Sequence, residues 1–328
     1  MKYYVLAGLI FMGISCQSGN AHREKDRAKS NGAGKVEGDS SSDGNEGSIA
    51  ASHFTPPPSA SYQYTITNES ETEVEANGKT VTNKHKSDVA ITYNIQKDSA
   101  GNYLLGLHYD KIHLYAKSGE NESELDAASA ANSMNPVEKM LGVLKDAKIV
   151  ATVSSSGKVI AINGYKELGE KILGSFKADA TSYNMAKSQW EKVIGEGMVK
   201  KSIEQMFSIL PDSDVQVGDT WKKSTKQAGE FNMTATSTFK LKDLEDGIAS
   251  IESEGELTSD KGETQVMGYA VTSNLQGDQQ GEYEVETKTG MVLKNKTTSK
   301  LKGSMQLMGK DIPVTVKTTL TMNGRKVK

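Results

Sequence analysis

The sequence predicts an α+β fold: a large, curved, mainly antiparallel sheet, half-barrel-like, with a few helices packed on its concave side. Three observations predict it. Apolar and polar residues alternate with period two after residue 60 and again from about residue 215 to the end. Between these stretches, apolar residues recur at helical intervals from Pro136 to Leu210. Asp-Gly, Lys-Gly, Gly-Asp and Thr-Gly turn signals then punctuate the second alternating stretch every 8–15 residues or so, the habit of an up-and-down meander.

The chain of 328 residues begins Met1-Lys2 and continues "YYVLAGLIFMGIS", an apolar run too short to span a bilayer, which takes about 20 residues. The run ends in Ser15, directly before Cys16, the one cysteine of the sequence, after which the residues turn abruptly polar. This is the pattern of a bacterial lipoprotein signal, in which the thiol is acylated and the chain is cut before it. Residues 1–15 are thus expected to be a signal peptide, and Cys16 a lipidation site. Each buried methylene contributes about 0.8 kcal/mol, so two or more acyl chains hold a protein stably. From Gln17 to Ser59 the composition is Gly, Ser, Asn, Asp, Lys and Glu, closing in "TPPPSAS". Residues 16–59 are expected to be the lipidated cysteine and a flexible tether with a reach on the order of 35 Å. Residues 60–325 are expected to form one domain.

Within that domain, "SYQYTITN" puts Tyr62, Tyr64 and Ile66 on one face, and "SDVAITYNIQKD" repeats the pattern with Val89, Ile91, Tyr93 and Ile95. "GNYLLGLHYDKIHLY" is apolar on both faces near Tyr103–Leu107, which suits a central strand. In "NPVEKMLGVLKDAK", Val137, Met140, Leu141 and Leu144 make a helical stripe behind Pro136. "KIVATVSSSGKVIAING" reads as a hairpin turning at Ser-Gly, and "YKELGEKILGSF" as a short helix. From Ser182 to Leu210 a longer helical pattern is expected to break near Gly195 and Gly197, each costing about 1 kcal/mol in a helix interior. Phe231, Met233, Ala235, Phe239 and Leu241 then share one strand face, as do Ile312, Val314, Val316, Leu320 and Met322 near the end.

The chemistry-bearing residues are sparse. The balance of 39 basic and 42 acidic residues gives a charge of −3 and no reason to expect nucleic acid as a partner. In "HYDKIH", regular alternation puts His108 and Asp110 on one face and His113 on the other, one ligand short of a metal site. "SSGK" at Ser155–Lys158 matches a Ser-x-x-Lys pair but sits at a hairpin tip rather than on one helical turn. No nucleophile elbow, phosphate loop, dinucleotide fingerprint or HExxH segment occurs. The expectation is a non-enzymatic protein without cofactor or metal. The 13 methionines against 6 phenylalanines suggest adaptable apolar surfaces, for which ordinary core filling is the plainer explanation. Trp190, Met198, Met206, Met233, Phe239 and Met267 are the candidate lining of a ligand space between sheet and helices.

At "LPDSDVQVGDTWKKS" the sequence resembles an uncharacterised family of envelope lipoproteins from Bacteroidota-type bacteria, in which a helix ends in Leu-Pro and a Val-x-Val-Gly-Asp-x-Trp segment opens the C-terminal sheet. Leu210, Pro211, Val215, Val217, Gly218, Asp219 and Trp221 carry the match. Their residue types suit structural tasks: a helix stop, a turn and a large apolar anchor. The order of elements also resembles the half-barrel of periplasmic lipoprotein carriers. The resemblance implies a membrane partner through the lipid anchor and an apolar small molecule or lipid as ligand. Gln17 rather than Asp follows Cys16, so the inner-membrane retention signal is missing, and no acidic cluster of the kind that directs lipoproteins to the cell surface stands beside the cysteine; residence on the periplasmic side of the outer membrane is expected, with the cell surface as the alternative. The competing expectation is an assembly module with a filled core that recruits a partner by strand addition. A hydrolase is a distant third.

Overall fold

The computed structural model describes residues 48–49, 53–76, 78–174, 176–177, 180, 183–184, 187, 190, 196–227, 233–259, 263–266, 269–307 and 309–328. The signal peptide, Cys16 and most of the tether lie outside the described residues, as do Met267 and Phe231. In chain order the elements are β1 (Ser48–Ile49), β2 (Ser61–Ala76), β3 (Lys79–Lys97), β4 (Tyr103–Ser118) and β5 (Asn121–Asp126). Then come α1 (Pro136–Lys145), β6 (Ile149–Val153), β7 (Val159–Asn163), α2 (Tyr165–Gly174) and α3 (Glu196–Ser208). The C-terminal part comprises β8 (Val215–Gln216), β9 (Thr220–Gln227), β10 (Met233–Glu245), β11 (Ile248–Ser259), β12 (Glu263–Val266), β13 (Tyr269–Glu286), β14 (Met291–Leu307) and β15 (Lys310–Lys326).

Thirteen strands make one sheet in the order β7-β6-β4-β3-β2-β15-β14-β13-β11-β10-β9, with β5 added beside β4 and β12 beside β13. All pairings are antiparallel. Two meanders, one from each end of the domain, are joined by the pairing of β2 with β15, which runs from Tyr62–Lys326 to Val74–Val314. The expected α+β class and the uninterrupted C-terminal meander are both observed, and the sheet does not close.

How strongly the sheet curls follows from two consecutive residues. Phe54 N–H donates to Ser155 O in the β6–β7 turn, and Thr55 N–H donates to Thr289 O in the β13–β14 turn. Those turns lie at strands five steps apart in the sheet, about 24 Å if it were flat. One peptide step bridges them, so the sheet must bend round on itself.

The bend brings the inner faces of distant strands into one core. Tyr62, Tyr64, Tyr93, Leu105, Ile112, Phe239, Ile251 and Val285 belong to a single buried cluster with Leu141, Leu144, Leu168, Ile172, Ile203 and Phe207 of the helices. The helical stripes therefore face the concave side, as the sequence pattern requires. Asn135 caps α1, its Oδ1 accepting from Val137 N–H at 2.9 Å, with Pro136 in the first turn where a missing N–H costs nothing. Gly197 lies in the first turn of α3, whereas Gly195, where a break was expected, falls outside the described residues.

Two expectations need correction. The fold reaches upstream of residue 60: Ile49 pairs with Val215, and Phe54 is fully buried against Tyr103 and Phe207, with ring centroids 4.9 and 4.5 Å away. Two apolar residues in a Gly/Ser-rich stretch gave no periodic signal, yet they close the lower end of the core. The second correction concerns His113. The β3–β4 register shifts between Ala90/Lys111 and Ile91/Tyr109, leaving Asp110 as the extra residue of a bulge. The bulge turns Ile112 inward, so His113 shares the outer face with His108, bonded to Glu124 at 2.6 Å. His108 and Asp110 do share a face, 3.6 Å apart.

Candidate functional site

The inner face of the sheet has two halves. At the lower end, the expected ligand space between sheet and helices is occupied by side chains. Trp190 stacks on Tyr165 at 5.0 Å and lies against Gly169 of α2. Phe239 is fully buried between Trp221, stacked at 5.7 Å, and Tyr283 at 5.9 Å. Met206 packs onto the same cluster, and the side chain of Met198 lies outside the described residues. Burial pushes the phenols of Tyr64 and Tyr93 well above their ordinary range and that of Tyr109 up to about 12, as expected where water is excluded.

The Leu-Pro…Gly-Asp-x-Trp segment seals this half. Leu210 and Pro211 are buried. Gly218 adopts φ +98°, a conformation that favours glycine, and its N–H donates to Leu241 O at 2.8 Å. Asp219 Oδ2 accepts from Gln216 N–H at 2.8 Å, and Leu241 N–H returns to Asp219 O. Trp221 Nε1–H donates to Ile209 O at 2.9 Å, tying the chain after α3 to β9. These are the structural tasks the residue types suggested, with the exception of Val217, which points to solvent.

Above the helices the register exposes a feature that sequence reasoning missed. One row of inward-facing residues, followed from strand to strand, reads His85, Ser70, Thr318, Ser299, Gln279, Gly255, Ser237, Lys223. The row beneath it reads Ser87, Asn68, Leu320, Thr297, Gly281, Ser253, Phe239, Trp221. Together they form a polar belt across eight strands, and most of its members are buried. Lys223 Nζ reaches out of the belt to Asp212 at 2.5 Å. Tyr283 Oη lies 3.3 Å from Thr297 Oγ1, which donates to Asn295 Oδ1 at 2.7 Å. Asn68 Oδ1 and Ser253 Oγ are buried with no hydrogen-bond partner among the described residues. Gly281 sits between these hydroxyls: a Cβ there would meet Tyr283 Oη at 2.6 Å and Ser253 Oγ at 2.7 Å.

Beyond the belt the face turns apolar again, in two small clusters separate from the main core. Met233, Ala235 and Leu257 make one; Leu275, Val314 and Val316 make the other, with Val74, Leu301, Met305 and Ile312 partly buried around it. Met233 and Phe239, both expected to line one ligand space, thus lie in different clusters. Along β2, β3, β14 and β15 this upper face is partly open: Val81 is 41% exposed, and Leu301, Met305, Ile312 and Val74 are half-buried. The result is a trough with a polar floor and apolar walls. No group of three or more metal-ligating side chains occurs among the described residues, and no described helix is long and apolar enough to cross a membrane.

Fold and site together define an open, curled antiparallel sheet, helix-packed at one end and trough-like at the other. Residues 100–292 match the family of unknown function DUF6263, and the chain belongs to that family. The matched region contains α1, α2 and α3 and the Trp221 segment. No curated protein matches the sequence. Among solved structures, the chain is similar to lipovitellin in a structure concerned with lipid–protein interactions, at 10% identity and a TM-score of 0.44. That likeness covers 82% of this chain and 25% of lipovitellin, so the chain spans about a quarter of its length. It also shows similarity to the β-domain of the Bordetella autotransporter BrkA (9% identity, TM-score 0.20, 80% of this chain and 99% of that one) and to Pseudomonas aeruginosa OccK7 (6%, 0.20, 82% and 99%).

Proposed function

We propose that the protein is a non-enzymatic binding protein that holds an apolar or amphiphilic molecule in the upper trough, tethered to the periplasmic side of an outer membrane through acylated Cys16. The observation that carries the reading is the partly exposed apolar lining of Val74, Leu301, Met305 and Ile312 on the inner face, where no described helix covers it. Apolar surface left uncovered on a concave face gains about 25 cal/mol per Å² when a ligand removes it from water. The tether is supported by the sequence pattern around Cys16, and the packing of Ile49 and Phe54 means that it would meet the fold at its closed lower end.

The test is to purify the chain from residue 17 onward, extract it with organic solvent and titrate it with a fluorescent apolar probe. Co-purifying lipid by mass spectrometry, together with saturable probe binding that Met305→Asp abolishes, supports the reading. An empty extract with no probe binding refutes it, and would favour the assembly alternative, whose packed core matches the lower half.

A further inference from the structure

Resting on that reading, we infer that the trough takes a neutral amphiphile with a hydroxyl-bearing head, held head-inward on the polar belt, in preference to a free fatty acid. The belt's unmet hydrogen-bonding capacity points this way. Asn68 is 8% exposed and Ser253 4%, both face inward in the same register row, and neither Asn68 Oδ1 nor Ser253 Oγ has a partner among the described residues. A buried polar atom without a partner is costly, and a hydroxyl, which both donates and accepts, satisfies an amide oxygen and a serine hydroxyl alike.

Charge argues against a carboxylate. From the Asn68 row upward, the inward-facing residues whose side chains are described include four ionisable groups: Lys79 and Lys310 stand exposed at the far rim, three register steps or more from the belt, and His85 and Lys223 lie on the belt itself. Lys223 is committed to Asp212 at 2.5 Å. His85 is flanked by Ser70 and Ala116, and burial pushes its imidazole below the usual value, toward the neutral form. A carboxylate on this floor would lose its water without a free cation to replace it. The hydrocarbon of a head-inward ligand would then run along Val316, Leu301, Val314, Met305 and Ile312 toward the opening.

The test is competition. The chain from residue 17 onward, loaded with a fluorescent apolar probe near neutral pH, is titrated with monopalmitoylglycerol and with palmitate, which share one acyl chain. The expected result is displacement by the monoglyceride at a concentration at least about tenfold lower. Ser253→Ala and Asn68→Leu should each shrink that preference severalfold. Should Asn68→Leu fail to fold, Ser253→Ala, which removes one small group, carries the comparison. Equal or tighter binding of palmitate, or a preference that survives both substitutions, overturns the head-group inference and leaves the belt to buried water. If the probe itself does not bind, the binding trough fails and this inference with it.

Discussion

The lower and upper halves of the inner face are made by the same strands, and they differ in what covers them. Below, the tyrosines, Ile112, Phe239 and Val285 meet residues of α1, α2 and α3, Trp190 and the segment around Phe54, and the exposure of Tyr62, Tyr64, Ile112, Phe239 and Val285 falls to 1% or less. Above, Leu275, Val314 and Val316 are 2–6% exposed with no described helix over them, and Val74, Met305 and Ile312 around them are only partly buried. Between them runs a belt of Ser, Thr, Asn and Gln. The difference teaches that one continuous strand can be sealed by helices at one end and left partly open at its other rim, so that it can serve stability at one end and recognition at the other.

The largest effect that would break this comparison lies at Phe54. Phe54→Ala should cost about 3–5 kcal/mol in urea unfolding, and a chain starting at residue 61, which also loses Ile49, should lose more. A tether that contributes nothing to the fold would leave the midpoint unchanged. Next comes Trp221→Phe, which keeps the stack on Phe239 but orphans Ile209 O; a loss of about 1–2 kcal/mol is expected.

Substitutions in the upper half sharpen the contrast. Met305→Ala and Ile312→Ala should each cost less than about 1 kcal/mol of stability while weakening probe binding severalfold, a combination no lower-half substitution should give. The smallest effect is on pH dependence. Because the folded state depresses the His85 pKa, its contribution is complete above the ordinary imidazole value of 6.5 and is lost as pH falls below that value through the folded one. His85→Gln should flatten stability measured across that window. It should leave untouched the further loss in the carboxylate range, where Glu71, Asp98 and Glu138, held below their ordinary values by hydrogen bonds, titrate.

Much of the framework was legible in the sequence because period and turn chemistry are local. The strand faces of Tyr62–Ile66, Val89–Ile95 and Ile312–Met322, the stripe of α1 and the hairpin tip at Ser154–Gly157 all follow from spacing alone. What was not legible depends on partners far away in the chain. Nothing in Phe54 or Ile49 announces their partners, Phe207 and Val215. The bulge at Asp110 inverts the alternation for one step, which moved His113 to the face opposite to the one expected. The belt was hidden most thoroughly. In "KNKTTSKLKG", inward Thr297 and Ser299 alternate with outward Lys296, Thr298 and Lys300, so both faces read as polar and solvent-facing. Only the register, which aligns those hydroxyls with Gln279, Ser253 and Asn68, shows that they are interior. Among large apolar side chains, spacing alone did not separate Trp190 and Phe239, which are core, from Met305 and Ile312, which are partly buried on the upper inner face.

The central claim, that recognition belongs to the upper half, is tested most directly by photo-crosslinking. A monoglyceride carrying a diazirine in its acyl chain is bound to the purified chain, irradiated, and the labelled peptides are mapped. Labelling concentrated at Val74, Leu301–Met305 and Ile312–Val316 is the predicted result. Labelling of Phe207, Trp190 or Phe239 beneath the helices, or none above background, would contradict it.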